Sequence, residues 1–406
     1  MKIRPFAALR PSADLAAEVA SVPYDVIDSD QARALAEGNE KSFLHVIKPE
    51  IDLPQGTDLY ADEVYAKAKE NFESFQEQGF LQRDEVPCYY LYRQVLGDHT
   101  QHGLVVTCHT EDYENDLIKK HEKTLPKKED DRTRHVATLM ANAGPVFLTY
   151  RDVDAINALV QDVASLAPDF DFTAPDGVQH TGWVIRDTAD LQAELDQLPL
   201  TYVADGHHRS ASAARVSKEL GDNNPDHTGE ENYNYFLTVL FPAEELKVIA
   251  YNRMVTELNG LTVDEFLAAA GERFAIEETT DTGPVERGSI CMYVAGKWYR
   301  LSWEEDPALD PVARLDVSIL QHRLLEPVLG VADIRTDPRM IFKGGFDVVE
   351  VMTETVDNGK AAVAFSLYPV SVHQVMDVAD AGEIMPPKST WFEPKLRSGL
   401  FVNTLD

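Results

Sequence analysis

The stretch VADGHHRSASAA, residues 203–214, decides how we interpret the fold and its site. An apolar run ends at Asp205, Gly206 follows, and an alanine-rich run begins after Arg209. This order predicts a buried strand, a tight turn and a helix, because glycine turns without steric cost and alanine is a strong helix former. Unpaired N–H groups and the positive end of the helix dipole then meet at one point. The pattern therefore favours an anion site at residues 205–209.

The side chains of this stretch fit a phosphate group in different ways. Arg209 offers a planar fork of donors for phosphate oxygens, and His207 and His208 add donors whose charge depends on pH. Asp205 repels a bare phosphate but suits an Mg²⁺ ion that accompanies one. Two other interpretations stay open: Asp205 caps a helix whose first turn is solvated, or the histidines bind zinc. Zinc is disfavoured, because adjacent histidines point in different directions on a helix and no cysteine lies nearby in the sequence.

The composition limits the classes of partner. The chain has 406 residues, with 37 basic and 69 acidic side chains and a formal net charge of -32. This charge opposes binding to the phosphate backbone of DNA or RNA, so we expect no nucleic-acid partner. An acidic surface is also what a saline cytosol or simple colloidal solubility would favour. A hydrophobic content of 44% is typical of a globular protein, and the length favours two or three domains.

The cysteines and the first residues indicate the compartment. The three cysteines are far apart and outside any Cys-x-x-Cys spacing, which argues against a disulfide scaffold or a zinc ribbon. The sequence opens without a long apolar segment, so neither a secretory signal nor a membrane span is predicted. We expect a soluble cytoplasmic protein without membrane partners.

The order of predicted elements indicates a mixed α/β fold. Asp28 predicts the start of a helix at residues 30–37, and a further helix is predicted at residues 210–220, ended by Gly221. Residues 59–78 are predicted to form a helix with these core positions: Tyr60, Val64, Tyr65, Ala68, Phe72 and Phe75. Strands and helices alternate along the chain, which predicts an α/β (mixed α+β) protein with lobes at residues 1–245 and 246–406.

One segment reverses the overall sign of the chain. Residues 116–135 carry five lysines and two arginines against five acids. A cationic segment of this kind suits either a solvated loop or a loop that folds over a nucleotide.

Six motifs in order along the chain resemble the family called "domain of unknown function 1015". They are VPYDVI (22–27), SFLHVIKPEIDLP (42–54), KKHEKTLPKKEDDRTRH (119–135), ANAGPVFLTY (141–150), TYVADGHHRSASAA (201–214) and MPPKSTWFEPKLRSGLF (385–401). The DGHHR signature within them also resembles the phosphate-binding signature of the ParB/sulfiredoxin-like fold, in the form that free serine kinases carry. The resemblance implies that residues 1–245 hold a ParB/sulfiredoxin-like nucleotide-binding core with insertions and that residues 246–406 form a second α/β lobe.

The resemblance also implies roles for the residues that match the signature. Asp205, Gly206, His207, His208 and Arg209 are implied to hold the phosphates of ATP or ADP. An Mg²⁺ ion is implied beside Asp205, and His208 also counts among the catalytic candidates. In related kinases an acidic residue elsewhere in the chain activates the acceptor hydroxyl, and no shared motif identifies it here.

Two carboxylates are candidates for that acidic residue. Asp25 follows Pro23 in a predicted irregular turn, where a carboxylate is presented to a ligand or caps nearby N–H groups. Glu122 lies between His121 and Lys123 in the cationic segment. Phosphoryl transfer also needs cations, and further candidates for phosphate or substrate contacts come from that segment and from the tail: Lys119, His121, Lys123, Arg132, Lys388 and Lys395.

These observations predict a small-molecule kinase that transfers phosphate from ATP or ADP to a hydroxyl, with free L-serine the favoured acceptor. The alternative is a ParB-like nucleotide-binding regulator without acceptor phosphorylation, although no basic DNA-binding helix is apparent. A sulfiredoxin-like activity would need a cysteine in the signature, where His207 stands. A scaffold in which the polar motifs are structural is a further hypothesis, and the residues leave the oligomeric state open.

Overall fold

The computed structural model describes residues 1–345 and 348–406, which form two units. The first unit comprises Met1–Leu246 together with Pro394–Asp406, and the second comprises Lys247–Glu393. Helices and strands are interspersed in both units, which confirms the expected mixed α/β class. Within the described residues, no helix combines the length and the apolar character needed to cross a membrane.

The first unit contains the predicted strand, turn and helix around Asp205. Its helices are α1 (Ala16–Val19), α2 (Ser29–Ala36), α3 (Leu44–Ile47), α4 (Asp62–Glu77), α5 (Thr110–Glu114), α6 (Pro126–Leu139), α7 (Asp154–Ala164), α8 (Ala189–Leu195) and α9 (His207–Asn223). Its strands up to residue 242 are β1 (Ile3–Arg4), β2 (Leu9–Arg10), β3 (Gln82–Arg83), β4 (Tyr89–Leu96), β5 (His99–His109), β6 (Ile118–Lys119), β7 (Ala141–Asn142), β8 (Val146–Tyr150), β9 (Phe170–Thr173), β10 (Gln179–Ile185), β11 (Thr201–Asp205) and β12 (Tyr235–Pro242).

In the first unit, β11 lies between β6 and β8 in a mixed sheet of parallel and antiparallel strands. The strand order is β6-β11-β8-β12-β5-β4-β10-β9, and β1 also pairs with β5. β11 runs parallel to β6 and antiparallel to β8. The side chains of β8 and β12 are buried throughout, as expected for strands covered on both faces. The sheet therefore carries Asp205 at the end of a strand whose preceding residues are fixed in the core.

Capping and amphipathic spacing explain the predicted helices. The Asp28 side chain accepts a hydrogen bond from the N–H of Gln31, and the Gln31 side chain accepts one from the N–H of Asp28, so α2 begins with a complete capping box. In α4 the predicted core positions are buried except for Tyr60, which precedes the helix and is 37% exposed. The Tyr60 ring instead lies 4.2 Å from the ammonium of Lys127, so its assignment to the core was wrong.

Two predicted boundaries near the site differ from the structure. The second half of the cationic segment 116–135 is helical, because α6 begins at Pro126, whose fixed φ suits a first helical position. Only residues 120–125 connect β6 to α6, and we call them the 120–125 loop. Helix α9 begins at His207 rather than at residue 210, because Gly206 makes the turn by itself. It also continues past Gly221 and ends at Asn223.

The second unit is built on a separate antiparallel sheet. Its elements are β13 (Lys247–Ile249), β14 (Asn252–Val255), α10 (Val263–Gly271), β15 (Ala275–Thr279), β16 (Ser289–Val294), β17 (Lys297–Ser302), α11 (Asp316–Leu320), β18 (Met340–Lys343), α12 (Val348–Asp357), β19 (Val363–Leu367), α13 (Val372–Asp380) and β20 (Trp391–Glu393). The sheet order is β15-β17-β16-β19-β14-β18, and β13 pairs with β20. Phe266, Met292, Leu320 and Phe365 are among the side chains of its core.

The tail, residues 394–406, returns to the first unit. Its strand β21 (Asn403–Thr404) pairs with β7, and the Phe401 ring lies 5.1 Å from that of Tyr90. At Gly399, where φ is +88°, an added Cβ would lie 2.7 Å from Phe43, so the backbones pack closely there. The sequence-based division placed these residues in the second lobe, whereas strand pairing and aromatic packing place them in the first unit.

Candidate functional site

The turn between β11 and α9 requires a glycine. Gly206 has φ +98° and ψ +30°, in the left-handed region, and it occupies the N-cap position of α9. A Cβ at this position would lie 3.1 Å from Nε of Arg209. The carbonyl of Gly206 accepts the N–H of Ser210 at 2.9 Å and so closes the first helical turn. We call residues 205–209 the Asp205 turn; Asp205 precedes the N-cap and does not cap the helix.

The Asp205 carboxylate is held by three donors. Its Oδ1 accepts the N–H of Gly206 at 3.0 Å. Its Oδ2 lies 3.3 Å from Nη2 of Arg209 and 3.5 Å from Nζ of Lys395. Burial raises the pKa of Asp205, but Lys395, Arg209 and His207 outweigh that effect and lower it below its ordinary value. The carboxylate is therefore ionised at neutral pH.

Arg209 links the turn to two other segments. Nη1 donates to the carbonyl of Pro145, and Nη2 also lies 3.7 Å from Oδ2 of Asp25. Within the described chain, the buried Nε has no hydrogen-bond partner. Burial lowers the pKa of Arg209, and the carboxylates of Asp25 and Asp205 more than offset this and raise it. The fork predicted for phosphate oxygens is thus directed at protein groups in this structure, where it ties Asp25 to the turn.

Two buried histidines form an edge-to-face pair beside the turn. The ring centroids of His121 and His207 are 4.5 Å apart at 89°. Burial lowers the pKa of His121 to about 4. The nearby Val203 carbonyl favours the protonated ring, but it offsets only part of this shift. Burial and the neighbouring His121 lower the pKa of His207 well below its ordinary value. Both rings are therefore neutral at pH 7.

The nitrogens of this pair are incompletely satisfied. Both ring nitrogens of His121 and Nε2 of His207 are buried without a hydrogen-bond partner among the described residues. Nδ1 of His207 lies 3.8 Å from Oε2 of Glu122, beyond hydrogen-bond distance. Buried polar atoms are nearly always paired in native proteins, so unpaired nitrogens at one place indicate where a ligand or ordered water binds. This observation makes the Asp205 turn a candidate ligand site independently of its sequence motif.

His208 positions the 120–125 loop. Its Nε2 accepts the backbone N–H of Leu125 at 3.0 Å, immediately before α6 begins. Burial and the charge of Lys128 lower the pKa of His208, in agreement with the neutral ring that this hydrogen bond requires. One ring nitrogen of His208 is therefore committed to the loop, and a catalytic contact through the ring stays a prediction.

The residues of the turn do not form a metal site by themselves. Both Asp205 oxygens already accept from or face donors, and two of those donors are cations. Among the described residues, no group of three or more histidine, cysteine, aspartate or glutamate side chains has an arrangement that would hold a metal ion. Mg²⁺ on Asp205 stays a prediction, and no step below depends on it.

The predicted lysines are distributed around the molecule. Lys395 reaches Asp205 from the tail. Lys119 pairs with Tyr202 in the register of β6 and β11, and Lys123 is exposed in the 120–125 loop. Lys388 lies in the second unit, where its ammonium is 5.5 Å from the ring centroid of Tyr251. Roles for Lys119, Lys123 and Lys388 in ligand binding stay predictions.

A cavity in the first unit shares Arg209 with the Asp205 turn, and no sequence motif predicted it. Its walls come from α3, α6, the β7–β8 connection, β12, α9, the loop that carries Tyr24 and the tail. The lining residues are Tyr24, Ile47, Arg132, His135, Val136, Asn142, Ala143, Gly144, Val146, Arg209, Ala213, Phe236, Leu237 and Ser398. Helical spacing places Arg132, His135 and Val136 on one face of α6, but spacing alone does not show that this face lines a cavity.

Comparison with known proteins gives the family and distant structural similarities. No curated protein matches the sequence significantly. Solved structures with similarity include a conserved hypothetical protein from Pyrococcus furiosus (13% identity, TM-score 0.36, covering 73% of this chain and 94% of that one). A free serine kinase in complex with AMP has 14% identity and a TM-score of 0.36, covering 73% and 91% of the two chains. SbnI with a C-terminal truncation from Staphylococcus aureus has 12% identity and a TM-score of 0.38, covering 74% and 87%. The family model described as "Protein of unknown function (DUF1015)" matches residues 3–318, more than half of the sequence, and the chain therefore belongs to the DUF1015 family.

Proposed function

We propose that the chain is a small-molecule kinase that transfers a phosphoryl group from ATP or ADP to a hydroxyl. The observation that carries the proposal is the set of buried nitrogens of His121, His207 and Arg209, around the start of α9, that lack a hydrogen-bond partner in the part of the chain that the structure describes. Nitrogen donors at a helix N-terminus suit phosphate oxygens, because the dipole and the N–H groups both stabilise negative charge. The same turn carries cations and nearby carboxylates, which phosphoryl transfer requires.

Binding of phosphate would change the partners of the two cations at the turn. Lys395 and Arg209 face the Asp205 carboxylate at 3.5 and 3.3 Å. A phosphate at the start of α9 would compete with Asp205 for these cations, and Asp205 would then keep the turn in place through the N–H of Gly206. An Mg²⁺ ion would arrive with the nucleotide phosphates and neutralise part of their charge.

The surroundings of the two candidate bases favour Glu122 over Asp25. Asp25 lies 3.7 Å from the guanidinium of Arg209, which engages its carboxylate in an ion pair with the Asp205 turn. Glu122 lies 3.8 Å from the neutral ring of His207, and its side chain is 48% exposed. A general base must take up the proton of the acceptor hydroxyl, and the exposure of Glu122 beside His207 gives that hydroxyl access, so we propose Glu122 for this role.

The test uses nucleotide binding and then turnover. Melting temperatures are measured with AMP, ADP and ATP, each with and without Mg²⁺. Phosphorus NMR then follows the mixture of protein, Mg²⁺-nucleotide and L-serine, the acceptor that the sequence resemblance favours. We expect a rise in melting temperature with nucleotide and a new phosphomonoester signal.

Matched variants test the role of Glu122 in turnover. Glu122→Gln is expected to keep nucleotide binding and to lower turnover at least about 100-fold, as for loss of a general base. Glu70→Gln on the exposed face of α4 serves as its control, because the Glu70 side chain is 70% exposed and pairs with Lys67 on the surface. Stabilisation by nucleotide without turnover of any hydroxyl acceptor would instead support the nucleotide-binding regulator. No response to any nucleotide would contradict both hypotheses.

A further inference from the structure

The cavity beside the Asp205 turn has walls that are mostly carbon. Apolar side chains from α3, α6, β8, α9 and β12 line it: Ile47, Val136, Val146, Ala213, Phe236 and Leu237. Walls of this kind exclude water and make no hydrogen bonds, so they favour the carbon part of a small ligand over its polar groups.

The charged side chains that line the cavity are both arginines, Arg132 and Arg209. Asp131 accepts from Nε of Arg132 at 2.7 Å, and the Tyr24 ring lies 4.1 Å from its guanidinium. The Arg132 side chain is 13% exposed. These contacts fix the guanidinium before any ligand binds, which reduces the entropy lost on binding. No aspartate or glutamate belongs to the described lining.

Two polar atoms of the lining are already used by the protein. Oδ1 of Asn142 accepts from the N–H of Leu237 at 3.2 Å and from Nδ2 of Asn403 at 3.1 Å. Nε2 of His135 bonds the carbonyl of Val46 at 3.0 Å. A ligand with several hydroxyl groups, such as a sugar, would bury some of them without partners at a cost in binding free energy.

We propose that this cavity binds the carboxylate of a small hydroxy acid that carries no amino group. The proposal rests on the proposed kinase function, since it names the class of the acceptor, but its binding step stands separately. A carboxylate matches the planar donors of a guanidinium, and a short carbon chain matches the apolar walls. An ammonium group would lie beside two arginines, and the carboxylates that pair with these arginines, Asp131, Asp25 and Asp205, are outside the described lining and already engaged.

The proposed acceptor class differs from L-serine, the acceptor that the sequence resemblance favours. L-serine has both a carboxylate and an ammonium group, and the cavity supplies a counter-charge for the first alone. Three small compounds separate these contributions. 3-Hydroxypropanoate is serine without its amino group, and propane-1,3-diol replaces the carboxylate of 3-hydroxypropanoate with an uncharged alcohol.

Calorimetry with the full chain measures the dissociation constants of these three compounds. We expect 3-hydroxypropanoate to bind about tenfold or more tightly than both L-serine and propane-1,3-diol. L-serine would bury an uncompensated ammonium group, and the diol would lose the charge interaction of the carboxylate. Equal or tighter binding of L-serine would overturn the exclusion of the amino group. Equal binding of the diol would overturn the role of the carboxylate.

Two arginines on the same helix provide a matched pair of variants. Arg132 stacks on Tyr24 at 4.1 Å and lines the cavity, whereas Arg134 stacks on Tyr65 at 4.1 Å and pairs with Asp62. Arg132→Gln is expected to weaken binding of 3-hydroxypropanoate roughly tenfold, and Arg134→Gln is expected to leave it unchanged. Arg132→Lys keeps the charge without the planar fork and should recover only part of the affinity.

The same measurements keep the two proposals apart. A cooperative urea unfolding transition shows that each variant is folded, and equal loss of acid binding in both glutamine variants would overturn the cavity proposal. If 3-hydroxypropanoate binds but is never phosphorylated, the kinase proposal fails and the cavity proposal holds. If nucleotide and another hydroxyl compound react but the acid does not bind, the cavity proposal fails and the kinase proposal holds.

Discussion

Arg209 in the first unit and Arg253 in the second are both buried, but their partners differ. Arg209 faces the carboxylates of Asp205 and Asp25. Arg253 donates to backbone carbonyls, to that of Tyr251 at 2.9 Å and to that of Pro387 at 3.3 Å. Burial lowers the pKa of Arg253 to about 10, whereas the neighbouring carboxylates raise the pKa of Arg209 in spite of burial.

The difference separates a structural arginine from an arginine at a ligand site. Among the described residues, no ion pair joins Arg253 to a carboxylate, and its donors fix the backbone around β14 and the segment before β20. Arg209 instead belongs to a cluster of cations and anions, and a charged ligand at the turn would compete with the members of this cluster for their partners. A buried arginine indicates a site when its neighbours carry charges that a ligand can replace.

The largest expected effect comes from removing Arg209, with removal of Arg253 as the comparison. Arg209→Met leaves Asp25 and Asp205 short of a counter-charge and is expected to cost about 3 to 5 kcal/mol of unfolding free energy. Arg253→Met loses two hydrogen bonds but also removes a buried charge without a carboxylate, so we expect a cost of about 1 kcal/mol. Urea unfolding measures both values. Equal losses would remove the distinction between the two arginines.

Mild acid is expected to affect the two units in opposite directions. The pKa of His121 falls from 6.5 to about 4 through burial, so its neutral form stabilises the first unit fully above pH 6.5 and the stabilisation is lost as the pH falls towards 4. The pKa of Asp316 rises from 3.8 to about 6 through burial, so its protonated form stabilises the second unit below pH 3.8 and the stabilisation is lost as the pH rises through 6. Between pH 6.5 and 4.5 each change is about 2 kcal/mol.

Hydrogen exchange resolved by segment measures this contrast. Protection of β11 and α9 should fall on acidification from pH 6.5 to 4.5, after correction for intrinsic exchange rates, while protection of β16 should rise. Asp316→Asn serves as the control and should abolish the rise in the second unit without altering the first. A parallel decline of both units would contradict the assigned roles of these two groups.

A glycine in each unit gives a comparison of turns. Gly206 has φ +98° with Nε of Arg209 3.1 Å from an added Cβ, whereas Gly288 has φ +78° with its nearest contact at 3.7 Å. Gly206→Ala therefore combines backbone strain with displacement of Arg209, and we expect a loss of about 2 kcal/mol and of the thermal response to nucleotide. Gly288→Ala carries the strain alone and should cost about 1 kcal/mol. A normal nucleotide response in Gly206→Ala would show that the turn does not bind phosphate.

The smallest effect on stability is expected at Lys395. Asp205 keeps Arg209 and the Gly206 N–H when Lys395→Gln removes one cation, so unfolding should change by less than about 1 kcal/mol. Nucleotide affinity should nevertheless fall about tenfold, because a phosphate would lose a direct cationic partner. Lys297→Gln, which breaks an exposed pair with Glu278, is the control and should alter neither value measurably.

Local sequence signals predicted elements whose causes are local. The capping residue Asp28 predicted α2, and the order of an apolar run, Gly206 and an alanine-rich run predicted β11 and α9. The start of α6 was missed, because the lysines before it were interpreted as a loop while Pro126 was not recognised as a first helical residue. Here the composition of the segment was a weaker guide than the position of one proline.

The candidate site was predictable to the extent that it is contiguous in sequence. The DGHHR signature identified the turn, and the neighbouring motifs pointed to Asp25, His121, Glu122 and Lys395. The sequence did not show that Arg209 would face protein carboxylates or that the rings of His121 and His207 would meet. Those features, like the cavity around Arg132, depend on how β6, α6 and the tail pack, and no local pattern encodes that packing.

The return of the tail to the first unit affects the order in which the protein matures during synthesis. The ribosome must complete all of the second unit, Lys247–Glu393, before Lys395 and β21 emerge. Until then the nascent first unit lacks the pairing of β21 with β7 and the cation that faces Asp205. We therefore expect maturation of the Asp205 turn to be a late step. It follows translation of the second unit, whose residues separate the two segments of the first unit along the sequence.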